Sequence, residues 1–258
     1  MCGRYAAARD PDALVEEFEV DEQVLDKPLE PDWNVAPTKQ VYVVMEPRPK
    51  AAPDDFVVTR QLRVAKWGLV PSWAKDPAIG SRMINARVET VADKPSYRRA
   101  FAARRCILPA DGFYEWYAPE GDDVPRTKSG KPRKQPFYIH PSDGSSLAMA
   151  GLYEWWRDKE RDPADPEAWL MTTTVITTSA TDELGRIHDR MPLVVDRAHL
   201  DTWLQPSQAD PRLLTELLSP ASAGVLDAYP VSLAVNDVRH NGPELVDPLP
   251  ADAVPEGP

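Results

Sequence analysis

Cysteine is nearly absent: the chain has two in 258 residues, Cys2 and Cys106, with no C-x-x-C or other metal-ligand spacing. That argues against a disulfide framework and a structural zinc site, so both thiols are expected to stay reduced, with no metal and no cofactor. Histidine is scarce too, at four residues. No apolar run reaches the roughly 18 residues of a membrane helix, and the N-terminus lacks the basic and apolar stretches of a signal peptide. The expectation is a soluble cytosolic protein without a membrane partner. Positive charge is also short, with 30 Lys and Arg against 41 Asp and Glu, a formal charge of −11 and a pI near 4.9. Bulk electrostatics therefore disfavours a nucleic-acid partner. The distribution is uneven, however. Acidic residues gather at 10–32, 120–123, 158–167 and 244–256, while Arg82, Arg87, Arg98, Arg99, Arg104 and Arg105 share one central stretch. A local basic groove with salt-sensitive binding remains open.

Hydrophobic residues make up 42% of the chain, enough for a real core. Its 28 prolines fall between periodic segments and divide the chain into many short elements. The pattern predicts helices at 10–18, 96–103, 180–187 and 211–218, the first with Asp10 as N-cap and Pro11 at the first helical position. Strands are predicted at 41–45, 55–59, 61–70, 106–108, 112–117, 136–140, 147–156, 169–178 and 192–195, several alternating in period two. Helices and strands do not alternate regularly, which favours a mainly antiparallel α+β fold over a doubly wound sheet. Residues 118–136 and 157–168 are charged and proline-bearing and resemble surface insertions; the last dozen residues are expected to form a loose tail.

The sequence opens MCGRY. With Met1 in place Cys2 is an ordinary side chain, structural or incidental. With Met1 removed, the same residue presents an α-amine and a thiol, with ordinary pKa values of about 8 and about 8.5. An amine condenses with an aldehyde to an imine, and the adjacent sulfur can close a five-membered thiazolidine ring. The thiol could equally be the nucleophile of an amidohydrolase, with its own amine as base. Both uses need a proton shuttle and an oxygen-binding partner.

His188 in GRIHDRMPLVV is the best placed histidine, flanked by Asp189 and Arg190 at a helix–strand junction, although a lone histidine is more often structural. Glu115 lies among Phe113, Tyr114, Trp116 and Tyr117, where burial would raise its pKa into the range of acid–base work; Glu154 sits in the echoing segment GLYEWW. Asn34 in PDWNVAPT suits turn chemistry or a hydrogen bond to a substrate oxygen. Arg4, Trp67, Trp73, Asn85, Arg87 and Arg190 combine cations, amides and aromatic faces as single-strand binding sites do, while eight tryptophans mostly mean core.

Taken in order, MCGRY, WNVAPT, WGLVPSWA, INARVET, SYRRAFAARRCILPADGFYEW, AGLYEW, TTSATDELGRIHDRMPLVV and VSLAVNDVRHNGPELVDP resemble the motifs of the SOS response-associated peptidase (SRAP) family. The resemblance spans residues 2–247, with 248–258 as a flexible tail, and implies antiparallel sheets forming a barrel-like core with peripheral helices in a single domain. It further implies a monomer that binds abasic sites in single-stranded DNA, in the cytoplasm and at the nucleoid when DNA is damaged. The implied chemistry is a thiazolidine crosslink through Cys2 after loss of Met1. By motif, Asn34 and His188 would contact the sugar and move protons, and Glu115, rather than Glu154, would assist ring opening. Arg4, Trp67, Asn85, Arg87, Thr177 and Arg190 would contact DNA. Two rivals remain: an N-terminal-cysteine peptidase or amidohydrolase, and a non-covalent reader of modified bases.

Overall fold

The computed structural model describes residues 2–49, 52–53, 56–119, 124–180, 184–220 and 226–250. The chain runs β1 (Tyr5–Ala7), α1 (Pro11–Glu17), β2 (Glu22–Gln23), β3 (Asp32–Val35), β4 (Gln40–Met45), β5 (Gln61–Trp67), β6 (Asn85–Arg87), α2 (Val88–Val91) and α3 (Arg98–Ala103). It continues through β7 (Arg105–Ala110), β8 (Gly112–Tyr117), β9 (Gln135–Pro141), β10 (Leu147–Arg157), β11 (Trp169–Ser179), α4 (Leu184–Ile187) and β12 (Arg190–Val195). It ends with α5 (Leu200–Leu204), α6 (Pro211–Glu216), β13 (Leu218–Pro220) and β14 (Leu226–Pro230).

Five strands close a ring of pairings, β10–β7–β4–β5–β11 and back to β10, antiparallel except where β11 meets β5. Period-two alternation gives each ring strand two apolar faces. One face, with Val41, Val43, Met45, Ala65, Cys106, Leu108, Met149 and Val175, forms a cluster that also takes in Cys2, just before β1, and Tyr5, Phe113 and Phe137 from the second sheet. That sheet has the order β14–β9–β8–β1–β3, so the two sheets share a core. The other face of the ring packs Tyr42, Val44, Leu62, Ile107, Ala150 and Ile176 against Leu14 and Phe18 near α1, Phe101 of α3 and Trp203 of α5. The mainly antiparallel α+β expectation therefore holds.

Local chemistry explains the boundaries. Helix α1 starts where the Asp10 carboxylate accepts the Asp12 N–H at 2.9 Å, with Pro11 at its first position. Strand β5 stops at Trp67, short of the predicted residue 70, because Gly68 adopts φ 126° and lies against Gly80; a Cβ on Gly68 would stand 2.5 Å from the Gly80 carbonyl oxygen. The chain then loops away and returns as β6 along the same edge of β11, with Thr173 beside Trp67 and Val175 beside Asn85.

Some expectations are corrected. The strand predicted at 55–59 does not form over its described residues: Phe56 N–H turns back to Pro53 O, and exposed Val57 has no partner strand. The helix predicted at 211–218 gives way at Leu218 to β13, which pairs with β12. Of the helix predicted at 180–187, Leu184–Ile187 is helical and 181–183 lie outside the described residues. Of the predicted tail, Pro248 bridges Val231 and Leu249 N–H donates to Pro230 O, while 251–258 lie outside the described residues. No described helix is long and apolar enough to cross a membrane.

Candidate active site

Strand pairing delivers Cys2. Tyr5 sits opposite Phe113 and Ala6 opposite Gly112, and Tyr114 N–H donates to Arg4 O at 2.9 Å. Continued backward, this antiparallel register lays the first residues beside Glu115. The Cys2 carbonyl accepts Asn85 Nδ2 at 2.8 Å. Asn85 is held in turn by the parallel pairing of β6 with β11 and by Tyr97, whose hydroxyl donates to Asn85 O at 3.2 Å. Cys2 is wholly buried, and burial, with the nearby Glu115 charge, pushes its thiol well above the ordinary range. While Met1 is attached, the Cys2 nitrogen is a peptide amide and has no amine chemistry.

Glu115 is 3% exposed, and its carboxyl is raised from 4.5 to about 7. Burial is the largest cause, with the Asp189 charge adding to it and Lys134 opposing it. His188 occupies the turn between α4 and β12, with Nε2 3.8 Å from Glu115 Oε2. Its Nδ1 lies 3.0 Å from the Arg190 backbone nitrogen and 2.9 Å from Asp189 Oδ1, so Nε2 is the ring nitrogen that faces Glu115. Burial lowers the His188 pKa below 6.5. Once protonated, Nδ1 has the Asp189 carboxylate 2.9 Å away. The site thus combines a buried thiol, a carboxyl that holds its proton near neutrality, and an imidazole that releases its own.

The other residues singled out from sequence fall into different places. Asn34 is buried, and its amide is engaged at both ends: Oδ1 accepts Arg4 Nη1 at 2.7 Å, and Nδ2 faces the carbonyls of His240, Asp237 and Val235 at 2.9, 3.1 and 3.3 Å. It ties β3 to the chain around residue 236, and Asn85 is the amide that meets Cys2. Arg4 also donates to Val235 O at 2.7 Å and lies over the Trp116 ring. Arg190 is buried, its guanidinium paired with Glu89 at 2.6 and 3.2 Å and bonded to Thr177 O at 2.7 Å. Thr177 is buried too, its Oγ1 accepting Arg190 Nη2 at 3.1 Å. Trp67 has no exposed surface: its ring meets Tyr5 edge-on and Nε1 donates to Ile84 O at 2.9 Å. The aromatic surface of the WGLVPSW turn belongs to Trp73, 55% exposed. Arg87 is exposed. Glu154 pairs with Arg104 at 2.7 Å.

Sequence reasoning missed Tyr97, Glu89 and Lys134. Tyr97 and Glu89 act through partners distant in the chain, whereas Lys134, at the edge of an insertion, carried a signal in its basic run. No group of three or more His, Cys, Asp or Glu that could hold a metal occurs among the described residues.

A family model described as SOS response associated peptidase (SRAP) matches residues 1–238. The chain belongs to the SRAP family. Its relatives include the abasic site processing protein YoqW of Bacillus subtilis, 37% identical over 247 residues, covering 96% of this chain and 99% of that protein. Abasic site processing protein YedK of Escherichia coli is 31% identical, covering 96% and 100% of the two chains. The chicken abasic site processing protein HMCES is 31% identical, covering 85% of this chain and 66% of its own length. A crystal structure of a Bacteroides thetaiotaomicron protein superposes with a TM-score of 0.73 at 24% identity, covering 96% of this chain and all of that one, and shares this chain's fold.

Proposed function

We propose that this SRAP protein processes abasic sites in single-stranded DNA by forming a thiazolidine crosslink through Cys2. The observation that carries the reading is the convergence of buried Cys2 and Glu115 with half-buried Asn85 and His188 at one site. Three relatives named abasic site processing proteins support the substrate class.

The reaction begins with hydrolysis of the Met1–Cys2 bond, which frees the α-amine. An abasic deoxyribose is mostly a closed hemiacetal, so opening it needs an acid for the ring oxygen and a base for the anomeric hydroxyl. Protonated Glu115 supplies the first and neutral His188 the second. The Cys2 amine adds to the aldehyde carbon, and the carbinolamine loses its hydroxyl as water to give an imine. The Cys2 sulfur then adds to the same carbon while the thiol proton passes to nitrogen. One water leaves in all. Because burial disfavours the thiolate, the amine attacks first and the thiol second.

Donation from Asn85 to the Cys2 carbonyl fixes the terminus for both attacks. A peptidase would instead need Cys2 as a thiolate nucleophile from the start, which the same burial opposes.

The test is incubation of Met1-free protein with an abasic single-stranded oligonucleotide, followed by a denaturing gel. The reading expects a shifted band that disappears in Cys2→Ala. No band, together with turnover of an amide substrate, would transfer the assignment to the peptidase reading. Strand affinity with no durable adduct, equal in Cys2→Ala, would favour a non-covalent reader.

A further inference from the structure

The insertion over 118–136 opens with Glu120, Asp122 and Asp123, which lie outside the described residues, and closes on five cations with no acid among them: Arg126, Lys128, Lys131, Arg133 and Lys134. The basic half is a pinned hairpin. Arg126 and Pro132 form an antiparallel bridge, Arg133 N–H donates to Pro125 O at 2.6 Å, and Thr127 N–H donates to Lys131 O at 2.8 Å. At the tip Gly130, with φ 79°, donates its N–H to Thr127 O at 2.9 Å. All five cations are exposed. Arg126 reaches Gly130 O at 3.0 Å, while Lys128, Lys131, Arg133 and Lys134 make no ion pair among the described residues. In a chain of net charge −11, four cations on a preshaped arm with no ion pair among the described residues imply an external polyanion.

Its position says which one. Lys134 directly precedes β9, whose Phe137 pairs with Glu115 and whose Gln135 pairs with Tyr117. The arm is therefore rooted about three residues, roughly 10 Å of strand, from Glu115. The Lys134 charge lowers the pKa of both Glu115 and His188. Meanwhile two guanidiniums singled out from the sequence are internally committed, Arg190 to Glu89 and Arg4 to Asn34 and Val235, while Arg87 on β6 is exposed. A backbone with several phosphates beside Cys2 needs more cations than Arg87 alone.

We propose that the hairpin of residues 124–134 is a phosphate-contacting arm that grips the DNA strand flanking the nucleotide held at Cys2. The proposal rests on the DNA reading given above. The arm acts through counterion release and carries no sequence information, which suits a lesion that has no base.

The experiment compares the full chain with the triple variant Lys128→Gln, Lys131→Gln, Arg133→Gln, leaving Lys134 in place. Binding of an undamaged single-stranded 20-mer is followed by fluorescence anisotropy across a salt series. For single strands each phosphate contact contributes about 0.7 to the slope of log K against log salt, so the variant's slope should fall by about 2. Its affinity at the lowest salt should fall at least tenfold, with an unchanged thermal unfolding midpoint as the folding control. Equal slopes and affinities in the two proteins would overturn the arm while leaving the DNA reading standing. A wild-type chain that neither binds the strand nor crosslinks to abasic DNA would overturn both.

Discussion

His188 Nε2 stands 3.8 Å from Glu115 Oε2, and burial moves the two pKa values in opposite directions, Glu115 up to about 7 and His188 down from 6.5. Between those values the carboxyl keeps its proton while the imidazole has none, so an acid and a base coexist at one site. Crosslinking should accelerate as pH rises through the lowered His188 pKa and slow as pH rises through the raised Glu115 pKa. Initial rates between about pH 5 and 9 test this bell shape. Glu115→Gln should slow the reaction about 100-fold and remove the alkaline limb.

Stability should follow the same carboxyl. Its folded pKa lies above its unfolded value, so the native state retains a proton that the unfolded chain has already released. Stability is therefore lost as pH rises from 4.5 toward about 7 and stays lower above it. The full span corresponds to about 3 kcal/mol. Urea unfolding at several pH values should show the decline in the wild type and a flatter profile in Glu115→Gln.

Both thiols are buried and both are pushed up by burial, Cys106 to about 12. Iodoacetamide at pH 8 should label the folded chain at about a hundredth of the rate of a free thiol or slower, and label two cysteines after unfolding. Mass spectrometry of the alkylated chain over time checks this. Fast labelling of native Cys2 would mean an open, ionised thiol and would favour direct thiolate attack.

The two asparagines should separate by phenotype. Asn34→Ala strands an arginine donor and leaves buried carbonyls unpaired, so it should cost about 2–4 kcal/mol of stability. Asn85→Ala removes the donor to the Cys2 carbonyl and should slow crosslinking about 10- to 100-fold while the fold survives. Unfolding and crosslinking measured side by side on both variants check the division.

The two tryptophans of WGLVPSW should separate as well. Trp67→Ala empties a core position and should cost about 3–5 kcal/mol of stability. Trp73→Ala should leave stability within about 0.5 kcal/mol and weaken strand binding by about 1–3 kcal/mol, the range for a lost base-stacking contact. Chemical denaturation and anisotropy give the two numbers for each variant.

Elements that alternate along long strands were legible in the chain: β8 was predicted with its observed bounds, and β10 and β11 to within a residue. Glu115 and His188 were legible for the same reason, since a carboxylate on an aromatic strand and a histidine at a helix–strand junction carry local signals. Strands β1, β3 and β6 were not, because three or four residues hold no period and exist only through partners such as Phe113, Val35 and Val175. Asn34 and Asn85 show the corresponding limit for the site. Each is an amide in a short polar motif, and only the pairing of β6 with β11 decides which one reaches Cys2. Trp67 and Trp73 share one short motif, and only packing against Tyr5 and the core buries the first while the second stays 55% exposed.

The most direct test of the central claim is intact-mass and fragment analysis of the adduct between Met1-free protein and an abasic oligonucleotide. The thiazolidine account predicts one product lighter than the sum of its parts by one water, mapped to Cys2 and unaffected by later borohydride. An adduct on a lysine, or one that only borohydride makes durable, would contradict it.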